Sequence, residues 1–159
     1  MKKAWVPEMQ VWGEERDRAI SEFSKQVATW GLSMPKVEPL VTQFGLNEFR
    51  KTGLIEYWVA NEERAGYCGK FLFVFDTQTC PAHHHARKHE TFFVVKGKVR
   101  MLADGKERVM SEGDTLVMAA GTAHSFTGIG NALLLEVSMP STLNDNFFKD
   151  KRIGKDGVI

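Results

Sequence analysis

Hydrophobic positions follow two periods along this chain. Over residues 13–30 the apolar side chains Ile20, Phe23, Val27 and Trp30 recur at spacings of three, four and three, which is one face of a helix. Gly31 is placed to end it. Residues 33–46 contain Pro35 and Pro39 and read as extended or looped, and residues 48–51 read as one helical turn before Gly53. From Leu54 onward the runs become short, β-branched and aromatic. Strands are predicted over 54–60, 70–76, 91–96, 98–103, 107–110, 115–119 and 132–139. Turn signals separate them: Ala65-Gly66, Gly97, Asp104-Gly105, Glu112-Gly113-Asp114, Gly121 and Gly128-Ile129-Gly130. Asp104-Gly105 between two apolar runs is a hairpin signal. Closely spaced short strands predict an all-β sandwich or barrel with an N-terminal helical segment.

At 159 residues the chain is expected to form one domain: an N-terminal extension over 1–53, a barrel core over 54–139 and a polar tail over 140–159. Residues 1–12 carry Trp5, Val6, Pro7, Met9, Val11 and Trp12, and are expected to pack on the domain or on a partner subunit. A formal net charge of +1 gives no global field for nucleic acid or an anionic membrane. Two lysines open the chain without an apolar run behind them, which does not read as a signal peptide, and no segment has transmembrane length. Cys68 and Cys80 have neither CxxC spacing nor a disulfide count and read as free buried thiols. A cytoplasmic protein is expected.

The chemistry concentrates in one stretch. Four of the five histidines lie in His83-His84-His85-Ala86-Arg87-Lys88-His89-Glu90, and the fifth is His124. On a strand, His83 and His85 share a face and His84 points away. Glu90 opens the next apolar run and can face the same point. Two imidazoles and a carboxylate converging there would make a metal site with open positions, with His124 a candidate fourth ligand. The alternative is a polar loop or a metal-scavenging tract. Further on, Gly113 and Gly121 bracket a strand-like run, and a histidine just past the second turn can be aimed into a barrel.

Together the two halves resemble the cupin superfamily. His83, His85, Glu90 and Gly97 match its first motif; Gly113, Gly121 and His124 match its second. Ala119 stands where Pro is usual, Gly128 where Asn is usual, and Thr77 where a glycine opens the first motif. The resemblance covers about residues 70–139. It implies a cupin jelly-roll β-barrel holding one divalent metal through His83, His85, Glu90 and His124, with manganese first and iron, cobalt, nickel or zinc open.

Within that superfamily, the pattern HxHxxKxE is similar to that of the cupin D-lyxose isomerases. Gly53-Leu54, Asn61, Tyr67, Lys70 and Gln78-Thr79-Cys80-Pro81 look like that family's approach to the motif. Glu136-Val137-Ser138 and Asp145-Asn146 look like its distal segment, with Phe147 where the family has Arg. The resemblance implies a sugar ketol-isomerase acting on a free sugar of the D-lyxose/D-xylulose or D-mannose/D-fructose type.

The residues are coherent with that chemistry. A metal with open positions stabilises an enediolate, and a carboxylate near C2 acts as base. Glu136 lies in the apolar run Leu133–Val137, and an isolated ionised carboxylate is not buried without a partner or a role. Glu136 is therefore the expected base, with Glu90 a ligand and Lys88 a proton donor or oxyanion stabiliser. The competing reading of Glu136 is an outward edge charge, and that of Lys88 a solvated loop lysine. Lys70, Gln78 and Asp145 are weaker candidates for sugar hydroxyls, each as readily a surface group. Trp58 and Phe126 read as barrel filling. A sugar-phosphate isomerase, an oxidative iron cupin and a non-catalytic metal- or sugar-binding module are the alternative functions. A small sugar is the expected partner, with no nucleic acid or membrane, and a homodimer is expected from the apolar N-terminus and open sheet edges.

Overall fold

In the computed structural model, residues 7–159 are described; Trp5 and Val6 lie outside the described residues. Helix α1 spans Gly13–Thr29. It ends as the sequence predicts: Gly31 is left-handed at φ 67°, its N–H donates to Ala28, and the Leu32 N–H donates to Val27. That is a Schellman closure, which returns two orphan carbonyls to hydrogen bonds. The buried stripe is Ala19, Phe23 and Val27, with Ile20 and Trp30 half-buried beside it. Phe23 stacks on Tyr57 at 5.1 Å and meets the edge of Phe73 at 4.9 Å.

Nine strands follow, all paired antiparallel: β1 Leu40–Thr42, β2 Leu54–Glu62, β3 Tyr67–Val74, β4 Thr79–His84, β5 Glu90–Ala103, β6 Lys106–Ser111, β7 Thr115–Met118, β8 His124–Ser138 and β9 Phe147–Phe148. Strands β2 and β3 have α1 on one face and the barrel interior on the other. Over Leu54–Tyr57 and Leu72–Val74 both faces are buried, so these stretches are near-continuously apolar instead of alternating. The hairpin at Asp104-Gly105 is as predicted: Ala103 pairs with Lys106, and both loop residues have positive φ, the type I′ pattern.

Three expectations change. The strands predicted over 91–96 and 98–103 are one strand, β5, interrupted by a register shift at Gly97. Gly128-Ile129-Gly130 is not a turn but lies inside β8, whose first half runs between β4 and β5 and whose second half runs between β3 and β5. The glycines let one strand bend through two pairings: a Cβ on Gly128 would stand 2.3 Å from the Phe75 carbonyl oxygen. Finally, the polar tail folds back. It supplies β9 on the edge of β4 and buries Phe148, Ile153 and Ile159 in the barrel core. No helix among the described residues is long and apolar enough to cross a membrane.

Two backbone positions test this account in opposite directions. Gly97 has φ 77°, and a Cβ there would lie 2.2 Å from the Asn131 carbonyl oxygen. Thr77, where the cupin motif has glycine, is held at φ 63°, a strained conformation for a β-branched residue. Gly97→Ala should cost about 2–4 kcal/mol and lower Tm by roughly 5–15 °C. Thr77→Gly relieves about 1–2 kcal/mol of strain and gives back about 0.5–1 kcal/mol in unfolded-chain entropy. Its expected result is a Tm equal to or slightly above the parent. Calorimetry of both variants checks the pair, and a stable Gly97→Ala protein would refute the bulge geometry.

Candidate active site

Antiparallel pairing of β4 with β8 sets His83 opposite His124, and β5 brings Glu90 alongside. His85 follows just beyond β4. His84 faces away and stacks on Phe147 at 5.1 Å, the position where the resembling family has Arg. The ligand atoms of His83, His85, Glu90 and His124 lie within 4.8 Å of one another.

Each imidazole is oriented by its own backbone carbonyl. Nδ1 of His83 donates to Pro81 at 2.8 Å, Nδ1 of His85 to Asp145 at 2.8 Å, and Nδ1 of His124 to Thr122 at 2.9 Å. A carbonyl only accepts, so each ring carries a proton on Nδ1, and its neutral form turns an Nε2 lone pair inward. Burial, with the neighbouring rings of His124 and His85, pushes His83 well below the ordinary histidine value, toward the neutral form a ligand needs.

The centre is unsatisfied by the protein alone. Nε2 of His124 is 3.1 Å from Glu90 Oε1, and Nε2 of His85 is 3.3 Å from Glu90 Oε2. Neither approach has hydrogen-bond geometry: both Glu90 oxygens and His124 Nε2 are buried without a hydrogen bond. Inward-facing lone pairs and a carboxylate, all acceptors, are what a divalent cation requires and what a protein otherwise avoids. These residues fit a metal ion.

Beyond Glu90 the charges alternate. Lys88 Nζ lies 2.8 Å from Glu90 Oε2 and 2.7 Å from Glu136 Oε1; Glu136 Oε2 lies 3.3 Å from Lys70 Nζ; Lys70 Nζ lies 3.7 Å from Glu56 Oε2. All five side chains are buried. Lys88 and Glu136 therefore face inward, not toward solvent. Burial by itself raises the Glu136 carboxyl, but the ammonium groups of Lys70 and Lys88 more than offset it and hold it below the usual range. Burial pulls Lys88 down, and Glu136 and Glu90 leave it raised overall. The ammonium of Lys88, 2.8 Å away, favours the ionised form of Glu90 against its burial.

The weaker candidates are all buried, which corrects their reading as surface groups. Lys70 lines a small interior cavity that His83, His85, Lys88, Glu136 and Glu56 also line, and lies 4.7 Å over the Trp58 ring. Gln78 braces a loop, accepting from the Phe75 N–H and donating to the Phe49 carbonyl. Asp145 does not line the cavity. Its carboxylate accepts from the backbone N–H groups of Ala86, Arg87 and Lys88 at 3.0–3.1 Å, and so clamps the loop between His85 and Lys88. A loop with three free N–H groups forms an anion nest, which decides its use. Phe126 fills the barrel, and both cysteines are free and buried. Glu56 was missed. Its signal is the one that exposes Glu136: a lone charge inside an apolar run, Leu54-Ile55-Glu56-Tyr57-Trp58.

Comparison with known proteins agrees with this geometry. A family model described as D-lyxose isomerase matches residues 3–97, and one described as a cupin domain matches residues 71–138. The D-lyxose ketol-isomerase of Cohnella laeviribosi is 39% identical over 95 residues, 55% of this chain and 50% of that protein. The D-lyxose/D-mannose isomerase of Thermosediminibacter oceani is 39% identical over 70 residues, 40% of this chain and 38% of that protein. The matched regions thus span half or less of the length of these curated relatives. Among solved structures, the L-ribose isomerase of Cellulomonas parahominis with L-ribose superposes with a TM-score of 0.74 at 16% identity, covering 95% of this chain and 98% of that one. The L-ribose isomerase of Acinetobacter sp. DL28 in complex with L-ribose gives 0.74 at 16% identity over 93% and 98%. These two share the fold. Matched over more than half its length and carrying the HxHxxKxE residues in one buried cluster, the chain belongs to the D-lyxose isomerase family, on a cupin fold.

Proposed function

We propose that this chain is a metal-dependent aldose–ketose isomerase acting on a free sugar of the D-lyxose/D-xylulose or D-mannose/D-fructose kind. The observation that carries the reading is the buried triple Glu136–Lys88–Glu90, joined at 2.7 and 2.8 Å. It puts an ionised carboxylate and an ammonium beside the cluster that fits a metal. The names of the curated relatives, D-lyxose ketol-isomerase and D-lyxose/D-mannose isomerase, support the substrate class. Lys70 and Lys88, the cations of the cavity lining, are already paired with carboxylates, which disfavours a phosphorylated sugar.

Aldose–ketose exchange moves one proton from C2 to C1 and one from O2 to O1. Glu136, held ionised, takes the C2 proton; the C–H electron pair becomes the C1=C2 bond, the carbonyl pair moves to O1, and O1 takes a proton from the Lys88 ammonium, giving an enediol. Glu136 returns its proton to C1 as O2 gives its own back to Lys88, and the ketose results. Lys88 keeps Glu136 ionised and offers positive charge to the sugar oxygen that becomes electron-rich. Lys70 holds Glu136 from the other side and offers N–H to a sugar hydroxyl. Asp145 acts through the loop it clamps, fixing His85 and Lys88. A divalent ion held by His83, His85, Glu90 and His124 supplies Lewis-acid stabilisation to oxygens on C1 and C2; manganese suits the reading, and iron, cobalt, nickel or zinc suit the donors.

Two copies are proposed to pair through the apolar row that crosses the outer sheet, where Val59, Val137 and Val117 are each more than half exposed. Light scattering should give twice the chain mass, and Val137→Lys should shift it toward the monomer.

The chemistry is tested with manganese-loaded protein and D-lyxose, D-mannose or D-xylulose in D₂O, followed by proton NMR. Turnover should place deuterium at C1 or C2. Glu136→Gln should lower kcat by about 10²- to 10⁴-fold with little change in KM. A variant retaining full kcat would remove Glu136 as base. Metal binding has a readout of its own. At a manganese concentration 100 times Kd, the wild-type chain should gain about 2.7 kcal/mol of stability, and His85→Ala should lose most of that gain. Equal thermal shifts in both proteins would remove His85 from the metal site.

A further inference from the structure

Glu56 is the member of the charge row that proton transfer leaves without a task. It projects from β2 to the same interior as Lys70 of β3 and Glu136 of β8. The register places Lys70 opposite Glu136, and Glu56 opposite Leu72. Glu56 therefore stands where the polar ledge of the cavity meets its apolar floor of Leu54 and Leu72. It is 2% exposed, and Oε2 has no hydrogen bond. Lys70, its nearest cation, is 3.7 Å away, in ion-pair contact but outside hydrogen-bond distance. Lys70 is drawn instead toward Glu136 at 3.3 Å and over the Trp58 ring. A carboxyl oxygen kept from both water and a protein donor is costly, and its cost is recovered when a ligand supplies the missing partner.

The ledge has a direction. His83, His85 and Lys88 line the same cavity at its metal end, and Lys88–Glu136 and Glu136–Lys70 separate that end from Glu56. A sugar whose C1 and C2 lie by the metal ligands and Glu136 extends its remaining carbons away from them. A sugar hydroxyl both donates and accepts, so it can pair with Glu56 Oε2 and with a spare Lys70 N–H together.

We propose that Glu56 is a specificity-determining residue, whose free carboxyl oxygen, beside Lys70, takes a sugar hydroxyl remote from the C1–C2 pair. The assignment rests on the isomerase reading above. It separates Glu56 from a purely structural partner of Lys70, because a structural partner would not distinguish one hydroxyl from another. A site built to bond a hydroxyl rejects the analogue that lacks it, since its buried polar groups are then left unpaired.

The test compares kcat/KM for D-lyxose with its 3-deoxy, 4-deoxy and 5-deoxy analogues in metal-loaded wild-type protein, Glu56→Gln and Glu56→Leu. In the wild type, one of the three analogues should lose about 10-fold or more relative to D-lyxose. Glu56→Leu should abolish that one penalty and leave the other two unchanged, by slowing D-lyxose to the rate of the analogue. Glu56→Gln, which keeps an acceptor of the same shape, should retain part of it, and it carries the test if the leucine variant does not fold. Metal content and Tm establish that each variant is assembled. Absence of turnover of both D-lyxose and D-mannose by the wild type overturns the isomerase reading and this assignment with it; if D-mannose alone turns over, its deoxy analogues carry the same comparison. Turnover with the same three penalties in every protein overturns the Glu56 assignment alone.

Discussion

A carboxylate buried among acceptors is the constraint on which this site depends. Glu90 is 2% exposed and faces the inward nitrogens of His85 and His124, and neither of its oxygens is hydrogen-bonded. Removing an ion from water costs several kcal/mol even after relaxation, and the cost must be met locally. Here it is met on two sides: a donor set shaped for a cation, and Lys88 at 2.8 Å. Lys88, itself buried, then requires a second carboxylate; Glu136 requires Lys70; Lys70 finds Glu56. Each charge is tolerable because of the next, so the row behaves as one unit.

That unit needs a scaffold in which neighbouring strands are rigidly registered. Strand β8 provides most of it. By bending at Gly128 and Gly130, it pairs first with β4, setting His124 against His83, and then with β3, setting Glu136 against Lys70. The loop between β4 and β5 is fixed separately, by the Asp145 carboxylate on three consecutive N–H groups and by the Asp145 carbonyl on His85. The C-terminal segment thus holds one ring of the candidate metal cluster, His85, and, through Phe148 stacked 5.1 Å from His83, packs against another. Its folding back is part of building the site.

The same row explains how two carboxyls on one lysine differ. Burial pushes Glu56 up, and Lys70 only partly offsets it, whereas Glu136 has both Lys70 and Lys88 and is held down. Neighbouring carboxyls in one cavity are thereby set apart in protonation by their environments.

The sequence by itself determined the helix and its end, the strand-rich body, the Asp104-Gly105 hairpin and the four residues of the cluster that fits a metal ion. Those features depend on local rules: a period of 3.6 or 2, a residue that tolerates positive φ, and the spacing of His83, His85 and Glu90 on one short segment, with His124 legible as a histidine just past a glycine turn. It also exposed Glu136, because a lone charge in an apolar run is visible without a fold, and the same rule applied to Leu54–Trp58 would have exposed Glu56. Tertiary structure alone decided the rest. The tail carries little periodicity, so its burial was hidden; Gly128 and Gly130 look like a turn until β8 is seen to pair on both sides. Lys70 and Asp145 read as surface polar residues, because their partners are far away in the chain: Glu136 lies 66 positions from Lys70, and the N–H groups that Asp145 holds lie 57 to 59 positions from it. Pairing across a sheet depends on register, and register is set by the whole barrel.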